Sequence, residues 1–125
     1  MPPREHAFGH GQLAYVQIPA LDVGASAAFY KEIFKWEVRA GTEAHLSFTD
    51  AAGQIIGAFV TGRAISNEPG VVLYIYVHGI DATLAKMVAS GSTVVREAYA
   101  EGDVWVSIFT DPAGNVIGIW QFDPR

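Results

Sequence analysis

The chain has no cysteine. Disulfides, thiolate nucleophiles and thiolate metal sites are therefore excluded, and the absence suits a cytoplasmic protein. Basic residues are scarce as well: 8 Lys and Arg stand against 13 Asp and Glu, for a net charge of -5. That balance disfavours nucleic acid or an anionic membrane as the main partner. No apolar run approaches the roughly 20 residues of a membrane helix. The opening Met1-Pro-Pro-Arg-Glu-His6 lacks a signal-peptide apolar region, and residues 1–12 are expected to form a loose tail. There is no glycine-rich phosphate loop, no Ser/His/Asp arrangement and no zinc-ligand spacing.

What is present is a repeat. Thr110-Asp-Pro-Ala-Gly-Asn-Val-Ile-Gly-Ile-Trp-Gln121 echoes Thr49-Asp-Ala-Ala-Gly-Gln-Ile-Ile-Gly-Ala-Phe-Val60. Gln54 aligns with Asn115, Ile55 with Val116, Gly57 with Gly118 and Phe59 with Trp120. A second match aligns Tyr15 with Tyr74, Gln17 with Tyr76 and Asp22 with Asp81, at a spacing two residues shorter. The chain therefore reads as two copies of one unit. Half of its 125 residues are hydrophobic, enough for a packed core.

The order of elements follows from local pattern. Leu13–Ile18 is a strand, with Tyr15 and Gln17 on one face and Val16 and Ile18 on the other. Asp22 caps a helix ending near Phe34, whose buried stripe includes Phe29, Tyr30, Ile33 and Phe34. Strands are predicted over 36–39, 45–48 and 54–61, the last after a turn opened by Asp50. Residues 63–70 are polar and rich in turn formers, a linker between units spanning 13–62 and 71–125. The second unit repeats the order: strand 71–77, a helix capped by Asp81 and stopped at Gly91, then strands 93–98, 103–109 and 116–122. The predicted fold class is α+β, two βαβββ units forming a curled mixed sheet around a cup, with helices on the outer face.

With these residues placed, residues 13 to 122 resemble the vicinal oxygen chelate superfamily, which includes glyoxalase I, bleomycin-resistance proteins and extradiol dioxygenases. Asp22-x-x-x-Ser-x-x-Phe-Tyr30, Phe34-x-Trp36 and Asp111-Pro-Ala-Gly-Asn-Val-Ile-Gly-Ile-Trp120 carry the resemblance. It implies a cup-shaped site enclosed by paired units, and often dimerisation. It also implies a divalent metal held by His, Gln or Glu near the first strand of each unit and by Glu on the fourth. Gln17, beside Tyr15, occupies the first-strand position of unit one. Tyr74, Tyr76 and the following His78 occupy it in unit two. Gly57 and Gly118 stand at the fourth-strand positions, and glycine has no side chain to ligate a metal. No metal site of the glyoxalase type is expected.

By strand alternation and motif alignment, Tyr15, Gln17, Gly57, Phe59, Tyr74, Tyr76, Gly118 and Trp120 are assigned to one cup-lining face, with His78 at its end. The two glycines would open space among aromatic walls, suited to a small aromatic or apolar molecule. The alternative is that the rings simply fill the core. His78 is the best titratable candidate; His45 has less context, and His6 and His10 belong to the tail. No catalytic residue is assigned. The leading expectation is a metal-independent small-molecule binder of the bleomycin-resistance kind. A metal-dependent lyase, isomerase or dioxygenase using Gln17, His45 and His78 is the alternative, and an interaction domain is a third. Exposed strand edges and high apolar content point to a homodimer.

Overall fold

The computed structural model describes residues 8–125. The expected tail falls largely outside them, as does His6; His10 lies in an exposed turn. The chain divides into two compact units, the first ending at Arg63 and the second beginning at Ala64.

In the first unit, β1 (Tyr15–Pro19) leads into α1 (Val23–Phe34), followed by β2 (Glu37–Val38), β3 (His45–Thr49) and β4 (Ile56–Val60). The sheet order is β1-β4-β3-β2, with β1 parallel to β4 and the other pairs antiparallel. Helix α1 starts where the Asp22 carboxylate accepts from the Ala25 N–H at 3.1 Å, satisfying one of the unpaired amides of a helix start. It stops at Lys35, whose left-handed backbone (φ 61°, ψ 31°) sends its N–H back to Lys31. A lysine pays the steric cost that glycine would avoid there.

The core of this unit is aromatic. Tyr30 stacks on Trp36 at 4.6 Å, Trp36 on Phe48 at 4.7 Å, and Phe48 meets Phe59 at 4.8 Å. Tyr30, Phe48 and Phe59 are fully buried. Each such side chain removed from water contributes about 1.5–3 kcal/mol, and well-placed ring pairs add roughly 0.5–1.5 kcal/mol. The helix-covered face of the sheet therefore carries Val16, Ile18, Phe48, Gly57 and Phe59.

The second unit repeats the plan with β5 (Tyr74–Tyr76), α2 (Ile80–Ala89), β6 (Val94–Glu101), β7 (Val104–Thr110) and β8 (Val116–Phe122), in sheet order β5-β8-β7-β6. Its helix departs from expectation. Asp81 lies inside the first turn, and the cap position is Gly79, which has no side chain to offer. The Ile80 N–H instead donates to Gln121 Oε1, 2.7 Å away on β8. Gln121 Nε2 donates in turn to the carbonyls of Phe122 and Pro124. Gly91 takes the left-handed conformation expected after the helix (φ 92°).

Both turn aspartates bind turn amides, as predicted. Asp50 Oδ1 accepts from the N–H groups of Gln54 and Ile55. Asp111 Oδ1 accepts from those of Ala113, Gly114 and Asn115, while its Oδ2 accepts from Asn115 Nδ2. The turns differ in length, however. Thr49 pairs with Ile56, enclosing Asp50–Ile55, whereas Thr110 pairs with Val116, enclosing Asp111–Asn115. The first turn holds one residue more. A one-residue slip moves every following side chain to the opposite face. Gly57 and Phe59 thus turn toward α1, although their sequence counterparts Gly118 and Trp120 turn away from α2.

This difference has a stability signature. A Cβ at Gly57 would overlap the Val16 carbonyl oxygen and the buried Phe48 ring, neither of which can retreat. The nearest atoms to a Cβ at Gly118 belong to the ring of Tyr74, which is 45% exposed and can swing aside. Gly57→Ala is expected to cost about 1–3 kcal/mol or more through overpacking, and Gly118→Ala clearly less, as read by chemical denaturation. Equal losses would contradict the register described.

Candidate functional site

Each sheet has one face covered by its helix and one face turned away from it. The side chains on these helix-free faces differ sharply between the two units.

In the first unit the face is polar. Tyr15, Gln17, Ser47, Thr49, Ala58 and Arg39 lie on it by register. Arg39 is anchored: Nη1 donates to Thr49 Oγ1 at 2.5 Å and Nη2 to the Phe48 carbonyl at 3.2 Å. Arg63, at the end of the unit, donates from Nη2 to Gln17 Oε1 at 2.7 Å. Gln17 Nε2 faces the Tyr15 hydroxyl at 3.5 Å, the outer limit of a hydrogen bond. Of the residues assigned to a site, Tyr15 and Gln17 are therefore together and exposed. Gly57 and Phe59 are not with them. Phe59 has no exposed surface and packs between Tyr30 and Phe48. The Gly57 position is roofed by Phe48 and leaves no open space. Their expected place on the cup face is corrected by the longer Asp50 turn.

In the second unit the face is aromatic. Tyr74 pairs with Gly118 and Tyr76 with Trp120, so all four share it as expected. Tyr76 meets Trp120 edge-on at 5.0 Å, and Trp120 meets Phe122 at 4.9 Å. His78 closes the row, its ring 5.5 Å from Tyr76. Tyr76 is 46% and Phe122 55% exposed. The expected gap at Gly118 is filled: the Tyr74 ring lies directly over it. Glycine here allows an aromatic ring to lie flat against the backbone.

Two residues that sequence pattern did not assign join this face. Strand β6 has register shifts between Val94 and Arg96 and again between Arg96 and Tyr99. Residues three apart would ordinarily point to opposite faces; the irregularity puts Arg96 beside Ile108 and Tyr99 beside Val106, on the same side. The Arg96 guanidinium then stacks on the Tyr99 ring, 3.5 Å from its centroid, a favourable cation–π placement. Tyr99 also lies close enough to Tyr74 to raise the value of its hydroxyl. No periodicity signals a bulge, so only the structure reveals this trio.

The environment acts on Tyr74. Burial raises its hydroxyl above the ordinary tyrosine value of 10.0, and Tyr99 and Glu101 push the same way, while Arg96 opposes them. Among the described residues, no three His, Asp or Glu side chains gather as a metal-binding group. His45 is exposed on β3 and His78 is exposed beyond β5.

Two units, each a βαβββ run with β1 parallel to β4 or β5 parallel to β8 and a helix on one face, are the architecture of the vicinal oxygen chelate superfamily. Within it, the chain belongs to the glyoxalase-like domain family, whose sequence model matches residues 15–119. Protein CFP32 of Mycobacterium bovis is 27% identical over 127 residues, covering 95% of this chain and 49% of that protein. The chain thus spans about half the length of this relative. A glyoxalase/bleomycin resistance protein/dioxygenase family enzyme from Burkholderia phytofirmans superposes with a TM-score of 0.73 at 19% identity, covering 90% of this chain and 99% of the other. TnmS3, an antibiotic binding protein from a Streptomyces species, superposes with a TM-score of 0.71 at 20% identity, covering 93% and 99%. At these identities the superpositions establish the fold.

The raised Tyr74 value gives a pH expectation. A folded-state value above the unfolded one means that this contribution to stability is fully present below about pH 10 and is lost as pH rises through the folded value. Tyr74→Phe should therefore flatten the decline in stability above pH 10 and remove a tyrosine step lying above the ordinary range from an absorbance titration at the phenolate band. A Tyr74→Phe titration superimposable on wild type would refute the assignment.

Proposed function

We propose that the protein binds a small aromatic or apolar molecule, and that the helix-free face of the second unit supplies the platform. The observation that carries this reading is the contiguous row Tyr74, Tyr76, Trp120 and Phe122, with Tyr99 beside it. Exposed aromatic rings in contact along one sheet face are costly in water unless something covers them, and such rings hold flat ligands by stacking. The centroid spacings of 4.9–6.2 Å among Tyr76, Trp120 and Phe122 leave no room for a group between the rings. They therefore offer a surface to lie on, rather than a cage around a cation. The fold-level likeness to an antibiotic binding protein supports a binding role as an analogy.

The same reading is metal-independent. The donors implied by the superfamily do not fit here: Gly57 and Gly118 offer hydrogen, the space beside each is taken by a ring, and Gln17 Oε1 already accepts from a guanidinium. Too few lone pairs remain for a divalent cation. We also favour a homodimer in the cytoplasm. β1 and β2 bound the first sheet and β5 and β6 the second, and edges of this kind invite pairing. Light scattering should give twice the mass of one chain at micromolar concentration; a monomer contradicts this assembly.

The binding test uses fluorescence. Titration with a panel of planar aromatic compounds, including aromatic antibiotics, should quench emission saturably in wild type. Trp120→Phe should remove most of the response while Trp36 and Trp105 remain. Tyr76→Ala should weaken binding by about tenfold or more, in line with roughly 1–3 kcal/mol per stacked ring. Absence of saturable quenching across the panel would sink the proposal.

A further inference from the structure

At the end of the first unit, the Arg63 guanidinium lies 2.7 Å from the side-chain oxygen of Gln17, on the helix-free face of β1. We propose that Arg63, held by Gln17, is a built-in cation for an oxygen-bearing anion, so that this face recognises a carboxylate on a small molecule. The inference rests on the reading of the chain as a small-molecule binder and concerns the face of the first unit by itself.

Three observations carry it. First, Gln17 Oε1, the atom that would ligate a metal, accepts from Arg63 Nη2 at 2.7 Å. A dication beside that guanidinium would be repelled, and the amide oxygen is already in use. Second, the groups left over are donors. Arg63 has further N–H groups in a planar fork. Gln17 Nε2 is only loosely engaged, at 3.5 Å from the Tyr15 hydroxyl, and Tyr15 is 52% exposed. A cluster of donors selects oxygen acceptors and rejects cations, and the guanidinium fork matches two oxygens at once. Third, no carboxylate among the described residues forms an ion pair with Arg63. Among the described residues the one ion pair is Arg125 with Asp81, in the other unit. Glu37 shares the face but lies on β2, at the far side of the sheet from β1. In a chain of net charge -5, an arginine without a carboxylate partner is an attractive point for an anion.

The neighbouring floor fits the same purpose. Gln17 pairs with Ala58, which pairs with Ser47. Ala58 itself is fully buried, so the surface beside Gln17 is continued by the half-buried, hydroxyl-bearing Ser47 and Thr49 on β3. Arg39 is a second cation on this face, but its fork is occupied by Thr49 Oγ1 and the Phe48 carbonyl. Arg63 is the more available of the two.

Calorimetry and side-chain amide NMR on the full chain would test this, with salicylate, its uncharged analogue salicyl alcohol, and acetate as probes. Salicylate should bind wild type at least tenfold more tightly than the alcohol, moving the Arg63 Nε–H and Gln17 Nε2 resonances. Arg63→Gln should bring salicylate down to the affinity of the alcohol, and Arg63→Lys should restore part of the difference. Raising salt should weaken salicylate and leave the alcohol unaffected, and saturating Ni2+ should change neither. If salicylate and the alcohol bind alike in wild type and in Arg63→Gln, the anion site is wrong while aromatic binding stands. If acetate and salicylate bind equally through Arg63 and no aromatic compound quenches Trp120, the anion site stands and the aromatic reading falls. Salicylate affinity that survives Arg63→Gln, or that rises with Ni2+, overturns the inference.

Discussion

One aspartate carboxylate at the turn between the third and fourth strands of each unit governs what the sheet can present. Asp50 and Asp111 gather turn amides onto a single oxygen, and the number of residues each turn encloses fixes the register of the strand that follows. Because side chains alternate with a period of two, the register decides which residues meet the helix and which face away. Asp50 encloses one residue more than Asp111. From that difference follow the burial of Phe59, the closing of Gly57 against Phe48, and the placing of Gly118 and Trp120 on the face turned away from α2.

Much of the fold could be read from the residues. The repeated turn motif, the Asp22 cap and the Phe29–Tyr30–Phe34 stripe each have a local physical cause, and each appears in the structure as expected. The site was legible only in part. Tyr74, Tyr76 and Trp120 share a face because nothing interrupts alternation along β5 and β8. Gly57 and Phe59 were misplaced because identical letters in two turns concealed unequal lengths, and the length depends on which amide closes the turn. Tyr99 and Arg96 were invisible because a bulge leaves no mark on hydrophobic periodicity. Asp81 was misread as a cap because the true partner of the α2 amide, Gln121, is distant in sequence.

The two units show how one scaffold diverges. The same strand order supports a polar face with arginines in one copy and an aromatic face in the other. The glycines common to both motifs no longer do the same thing: one admits a core ring from the helix side, the other a surface ring from the open side. Conformational freedom at the backbone has been put to packing use twice, with opposite results for exposure. A duplicated unit can change chemistry without changing topology, by a one-residue change of pairing register at a turn of unchanged sequence length.

The Gln121 contact has a consequence for the order in which the chain can mature. Helix α1 carries its own cap in the residue just before it, so its first turn can be satisfied as soon as it leaves the ribosome. Helix α2 takes its cap from β8, some forty residues further along. The second unit cannot complete its helix start until that strand has emerged and paired. During synthesis the first unit can therefore close while the second still exposes both its aromatic strands and an unsatisfied helix end. The half that carries the exposed aromatic face is also the half that must wait longest without its partners, a period in which a chaperone has the most to protect.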